Sequence, residues 1–194
     1  DDLRQKILQV DTICQQIPDT VQNLILVPHR DLHLLPIHTL FHDYCCTYLP
    51  SVKIGLTLRE RHSGNKTYTP LLSVEDPATE QPPMPFAQLE SAIIRHLVKG
   101  ATCVKGNDAT TDNVLKSVKE PFATFHFTGH GAYNSRTPAN SALALSNGLL
   151  TAKDISQLDL SSYKLIVLAA CETALTGNND IKTEYVGLAS AFLK

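Results

Sequence analysis

This sequence predicts an α/β fold, a mostly parallel sheet with helices on both faces, and three observations carry that prediction. Short apolar runs alternate along the chain with stretches of helical period, the pattern of strand–helix–strand units. Two of these runs, at residues 122–127 and 164–170, are long apolar strands. The length of 194 residues, 43% of them hydrophobic, suits one domain with a short appendage and a sizeable core.

The elements follow in order. Apolar residues at 3, 7, 10, 13/14 and 17 have the period of an amphipathic helix, which Pro18 stops. Residues 23–27 predict a short buried strand running into the turn cluster Pro28-His29-Arg30-Asp31. Residues 44–49 and 52–58 predict a strand pair around Pro50-Ser51, and 59–66 a polar surface loop. A further short strand at 71–74 ends at Asp76-Pro77. The proline-rich stretch 80–85 suits neither helix nor central strand and is expected to be an extended connector. Helical period returns over 86–98 through Phe86, Leu89, Ala92/Ile93 and Leu97. A strand at 102–104 comes next, then a helix over 108–118 with Thr110, Thr111 or Asp112 as candidate N-cap. After the two apolar strands the chain becomes helical again over 184–193. No internal repeat or low-complexity tract interrupts this order.

Composition excludes several functions. Lys and Arg number 17 against 19 Asp and Glu, so the net charge of −2 offers no electrostatic footprint for nucleic acid. Apolar residues are too plentiful for a disordered chain. No apolar run approaches the roughly 18 residues of a membrane span, and the charged start Asp1-Asp2-Leu3-Arg4 is unlike a signal peptide. The five cysteines, at 14, 45, 46, 103 and 171, are odd in number and form no CxxC pair. That spacing argues against disulfides and structural zinc and fits a reducing compartment, so a cytoplasmic location is expected. His38 and His42 have the i, i+4 spacing of helical metal ligands, with His29 and His33 nearby, but no HExxH motif accompanies them and no metal is expected. Phosphate-binding glycine motifs are absent, and no cofactor is expected.

Two strand ends carry chemistry. Residues 125–131 form an apolar strand with a Gly129-His130-Gly131 tip, and residues 165–171 form an apolar strand that delivers Cys171 at its end. Functional groups in parallel sheets collect at the carboxyl ends of strands. A thiolate needs a base nearby to be populated at neutral pH, and imidazole has the right proton affinity. The flanking glycines permit close approach of a substrate and free the Gly131 N–H to point at it. Cys and His on two strand tips are the minimum set for acyl transfer.

Together these motifs resemble the caspase-like cysteine peptidases, and within them the CHAT domain family, named for its association with TPR repeats. The resemblance covers residues 23–194. It runs through Leu24-Ile-Leu-Val-Pro28, Leu32-His-Leu-Leu-Pro36, Tyr48-Leu-Pro-Ser51 and Pro85-Phe-Ala-Gln-Leu-Glu90. It continues through Ala109-Thr110, His126-Phe-Thr-Gly-His-Gly131, Ser141-Ala-Leu-Ala-Leu145, Leu149–Ile155, Leu168-Ala-Ala-Cys-Glu-Thr173 and Val186–Phe192 in the same order. The resemblance implies a caspase-like three-layer sandwich. It makes Cys171 the nucleophile and His130 its base, with the backbone N–H groups of Gly131 and Cys171 as oxyanion hole. His126, four residues before His130, is expected to be a supporting core histidine. Glu172 and Thr173 flank the nucleophile and are open to two roles, shaping the pocket or capping the strand.

The implied activity is hydrolysis of a protein or peptide substrate, gated by a TPR array or another regulatory partner. Residues 1–20 are then the end of an upstream helical region and 21–194 the peptidase domain. In the family a further strand follows the last helix. Its absence here, like the missing initial Met, predicts a C-terminally incomplete piece of a longer polypeptide, with an open sheet edge beside 164–170 and uncovered apolar surface on the helix at 186–193. Two rivals stand beside the peptidase: a non-catalytic caspase-like scaffold serving as an interaction module, and a different thiol acyltransferase.

Overall fold

A computed structural model of the chain describes residues 9–29, 32, 35–61, 67–134, 136–170 and 187–193. The chain divides into two compact units, Asp1–Leu56 and Thr57–Lys194. In the first, a short helix α1 (Val10–Cys14) precedes strand β1 (Asn23–Leu26), which pairs in parallel with β2 (Cys45–Tyr48). A 3-10 turn over Ile37–Leu40 lies between the two strands. Its His38 donates its backbone N–H to Tyr48 Oη at 2.8 Å and holds the same oxygen with Nδ1 at 2.9 Å. Cys45 is exposed and Cys46 half-buried, as alternation on a strand requires.

The expected strand at 52–58 is instead helix α2 (Val52–Arg61), which also takes the first residues of the expected loop at 59–66. Its period-two apolar pattern is overruled at the start, where Ser51 Oγ accepts the Ile54 N–H at 3.2 Å and caps the first turn. A Cβ on Gly55 would meet the end of the Leu49 side chain, which would have to turn aside to admit it.

The second unit is built on a four-stranded parallel sheet of order β4-β3-β5-β9. Its strands are β3 (Leu71–Glu75), β4 (Thr102–Lys105), β5 (Thr124–Thr128) and β9 (Leu165–Ala169). Helix α3 (Pro85–Leu97) connects β3 to β4, and α4 (Thr111–Val118) connects β4 to β5. Of the three N-cap candidates Thr110 is the one used: its hydroxyl accepts the Asn113 N–H at 3.2 Å. The sequence pattern left the stretch between β5 and β9 without elements. It holds an antiparallel sheet of β6 (Gly131–Ala132), β7 (Ala142–Leu145) and β8 (Gly148–Thr151), then α5 (Ala152–Ile155). A capping box between Thr151 and Asp154 starts α5. Thr111 donates from N–H and hydroxyl to Asn147 Oδ1, at 2.7 and 3.1 Å, tying the β7–β8 turn to the first turn of α4.

Register gives the sheet two unlike faces. Leu72 and Val74 align with Phe125 and Phe127, and these with Ile166 and Leu168. This face is covered by α4, the antiparallel sheet, α5 and α6 (Leu188–Phe192), through Val114, Val118, Leu143, Leu150, Ile155 and Leu188. Phe192 stacks on Phe125 with centroids 5.6 Å apart, and Tyr163 meets the same ring edge-on at 6.4 Å. The expectation of uncovered apolar surface on the last helix therefore fails for Leu188, Ala191 and Phe192, all buried; residue 186 lies outside the described residues. Among the described residues β9 is an edge strand, and Leu165 is exposed there.

The other face of the sheet is mostly polar, with Leu71 at its start and Ala169 at its end. Ser73, Glu75, Thr124, His126 and Thr128 are all buried on it, with α3 alongside. The helix meets this face with its small and polar side, Ala87, Glu90, Ser91 and Arg95. The apolar stripe that marked α3 as a helix consequently points outward: Phe86, Leu89, Ile93 and Leu97 are 84%, 57%, 51% and 73% exposed. Pro85 opens the helix with its φ already helical. Asp76 closes the free start by accepting the Met84 N–H at 3.4 Å and the Gln88 side-chain amide at 2.8 Å. No helix among the described residues is long and apolar enough to cross a membrane.

Candidate active site

The tip of β5 is held by hydrogen bonds from three directions. Thr128 C=O accepts the Asp76 N–H at 2.8 Å, Gly129 N–H donates to Ala169 C=O at 3.3 Å, and His130 C=O accepts the Ala144 N–H at 2.9 Å. Gly129 is required sterically. A Cβ there would lie 2.8 Å from Phe127 Cζ and 3.0 Å from Pro77 Cδ, so its close approach is to the protein itself rather than to a substrate. The half-buried His130 ring then points Nε2 at the Pro82 carbonyl, 3.0 Å away. A carbonyl can only accept, so Nε2 carries the proton and the neutral ring presents Nδ1 as its basic nitrogen. Gly131 faces Leu143 across the β6–β7 ladder. Because the Ala144 N–H bonds to His130 C=O, this pair is of the non-hydrogen-bonded kind, and the Gly131 N–H is turned away from β7.

Strand β9 runs parallel to β5, with Ala169 beside Thr128. Both strands therefore finish at the same edge of the sheet. His130 follows Thr128 by two positions and Cys171 follows Ala169 by two. Cys171, Glu172 and Thr173 themselves lie outside the described residues.

Beneath the tip, the polar layer forms a chain of contacts. His126 Nδ1 lies 3.2 Å from Ser73 Oγ, while its buried Nε2 has no hydrogen-bond partner, with Glu90 Oε1 at 3.9 Å. Thr128 Oγ1 donates to Glu90 Oε2 at 3.1 Å. Arg95 Nε sits 2.9 Å from Glu75 Oε1, close as an ion pair but not aligned as a hydrogen bond. Burial holds the His126 imidazole below its ordinary pKa, against the opposing pull of Glu90 and Glu75. His126 is thus a supporting residue of the layer. Burial, reinforced by Glu75, pushes the Cys103 thiol up to about 11.

His126 makes folding sensitive to acid. Its pKa is lower in the folded chain than the usual value near 6.5, so below about pH 6.5 the unfolded chain binds the extra proton first. Stability is complete above that pH and falls as pH drops toward the folded value. The groups facing the ring are Ser73 and Glu75 from β3 and Glu90 from α3. His126→Gln, which retains a polar partner for Ser73, is expected to flatten the loss of urea midpoint between pH 7 and pH 5.5.

Against the polar layer opens a cleft of about 610 Å³, lined by Met84, Phe86, Ala87, Glu90, Thr128 and Ala169 together with two prolines. It adjoins the ends of β5 and β9. Glu90 and Thr128 fall within segments that carry the family resemblance, but the sequence assigns no role to them or to Pro82. The alternation Thr124-Phe125-His126-Phe127-Thr128 was the available signal for Thr128, since a buried strand with one polar face needs polar partners. Among the described residues no group of three His, Cys, Asp or Glu gathers as a metal site. His38 and His42 do not share a helix, since the 3-10 turn ends at Leu40.

The family model of the CHAT domain matches residues 2–194. No curated protein matches the chain.

Proposed function

The chain belongs to the CHAT domain family, a family of caspase-like peptidases, and from that premise we propose that it is a cysteine endopeptidase in which Cys171 is the nucleophile and His130 its base. The observation that carries the proposal is the shared edge: β5 and β9 are neighbours in register, and each leads within two residues to one half of the pair. The Pro82 carbonyl supports the role of His130, because a base oriented by a third group is the recurring form of an activated nucleophile.

In the proposed cycle the His130 imidazole takes the Cys171 thiol proton and the thiolate sulfur attacks the scissile carbonyl carbon. The oxyanion is stabilised by the N–H groups of Gly131 and Cys171. As the C–N bond breaks, the amine leaves with the proton that His130 returns, and a thioester remains on Cys171. Water then gives a proton to His130 and its oxygen to the acyl carbon. The sulfur leaves, the acid product departs, and the pair is restored. The enzyme works in the cytoplasm on protein substrates, under the control of a TPR or other regulatory region.

Thiol reactivity tests this. In the full-length protein at pH 7, iodoacetamide is expected to alkylate Cys171 faster than the other four cysteines. Burial raises the Cys46 and Cys103 thiols and slows both. His130→Ala should slow Cys171 alkylation at least about tenfold. Alkylation of Cys171 no faster than that of the exposed Cys45 would remove the dyad and favour a non-catalytic scaffold.

A further inference from the structure

We propose that the cleft at the ends of β5 and β9 receives the side chain on the acyl side of the scissile bond, and that it selects lysine or arginine through Glu90. This rests on the peptidase reading and adds the substrate class to it. Position comes first. The cleft includes Thr128 and Ala169, two residues short of His130 and Cys171 respectively. Another part of its lining, Pro83 to Ala87, follows directly from Pro82, whose carbonyl meets the His130 ring. A side chain entering it belongs to a residue adjacent to the attacked carbonyl.

The lining chemistry then sets the class. Met84, Phe86, Ala87 and Ala169 are apolar and suit a run of methylenes. Among the named lining residues the one ionisable group is Glu90, whose side chain is 44% exposed. Its carboxylate is held in place by the Thr128 hydroxyl at 3.1 Å, and among the described residues the other oxygen has no hydrogen bond, with the His126 ring at 3.9 Å. No Lys or Arg of the described residues pairs with Glu90, and Arg95 on the same helix is taken by Glu75.

An acidic side chain would meet like charge here. Asp76, which accepts the N–H of the lining residue Met84 at 3.4 Å, adds negative charge behind the cleft wall. A neutral side chain would leave the carboxylate half-buried with no counter-charge, whereas a cation supplies one. The ring of Phe86, 84% exposed, offers a further surface on which a guanidinium or ammonium can rest.

The test uses the full-length protein and peptidyl acyloxymethyl ketones that differ only in the side chain next to the ketone: Lys, Arg, norleucine, Gln and Glu. Cys171 sulfur displaces the carboxylate leaving group to form a thioether, which mass spectrometry locates. The Lys and Arg probes are expected to label Cys171 about 100-fold faster than norleucine or Gln. Glu90→Gln should bring that ratio close to one, and Glu90→Lys should shift preference toward the Glu probe. Equal labelling of Cys171 by all five probes, fastest labelling by norleucine or Glu, or an unchanged ratio in Glu90→Gln would overturn the cation assignment and leave the peptidase standing. Failure of every probe to label Cys171 would overturn both. If the Glu90 variants do not fold, the wild-type ratio alone decides.

Discussion

Cys171→Ala in the full-length protein is expected to reduce peptide-bond cleavage by at least about 10³-fold, and His130→Ala to do nearly the same. In the proposed cycle Cys171 supplies the sulfur that forms the thioester, and no group among the described residues can replace it. His130 would move a proton in both halves of that cycle, and such transfers are each worth about 10²- to 10⁴-fold. The two act as one unit, so the double variant should be scarcely worse than either single one. The structural consequence should be small, because among the described residues the half-buried His130 side chain bonds to the Pro82 carbonyl alone, and the tip is held by backbone groups. Near-wild-type melting with lost turnover is therefore the expected result for His130→Ala. More than a tenth of the activity remaining would show that another group takes the thiol proton.

The sequence made legible what depends on periodicity and on strand ends. Parallel strands buried by helices leave long apolar runs, and β5 and β9 stood out for that reason, together with the Gly129-His130-Gly131 and Ala169-Ala170-Cys171 ends that follow them. What escaped depends on which side of an element meets which neighbour. The stripe Phe86, Leu89, Ile93 and Leu97 announced a helix correctly, yet it faces outward, because the sheet face beside α3 carries Ser73, Glu75, His126 and Thr128. A buried polar layer takes Glu90 as a hydrogen-bond acceptor for Thr128 and Arg95 as a counter-charge for Glu75, and would gain nothing from leucines. Period alone identifies the helix, while orientation is set by the partner's chemistry.

Helix α2 was misread for a related reason. Val52, Ile54, Leu56 and Leu58 alternate as a strand does, but no residue of the helix is fully buried, so the alternation does not mark a face packed into a core. The Ser51 cap on Ile54 decides the local conformation instead. The Pro82 carbonyl was invisible in principle: a backbone acceptor has no residue signature. The proline-rich connector only showed that its carbonyls would not be consumed by a helix or central strand.

Phe125→Ala is expected to destabilise the second unit by about 3–5 kcal/mol, the range for removing a fully buried phenylalanine. The ring is 1% exposed and lies between Phe192, stacked at 5.6 Å and 27°, and Tyr163, edge-on at 6.4 Å and 85°. Two such pairs contribute about 0.5–1.5 kcal/mol each beyond the area they bury. Register places Phe125 beside Leu72 and Ile166, so the cavity would open at the centre of the sheet, where neighbouring strands cannot close in to fill it. Melting should fall by roughly 10–20 °C for a unit of this size. Because β5 leads directly to Gly129 and His130, activity should be lost at temperatures where the wild type still works. Phe125→Leu, which keeps most of the volume, should cost markedly less. The contrasting substitution is Leu89→Ala on the outward stripe of α3, expected to stay within about 0.5 kcal/mol of wild type because that side chain is 57% exposed. Thermal melts of both variants decide between the two faces. A larger loss from Leu89→Ala than from Phe125→Ala would mean that α3 is turned the other way and that Glu90 does not face the sheet.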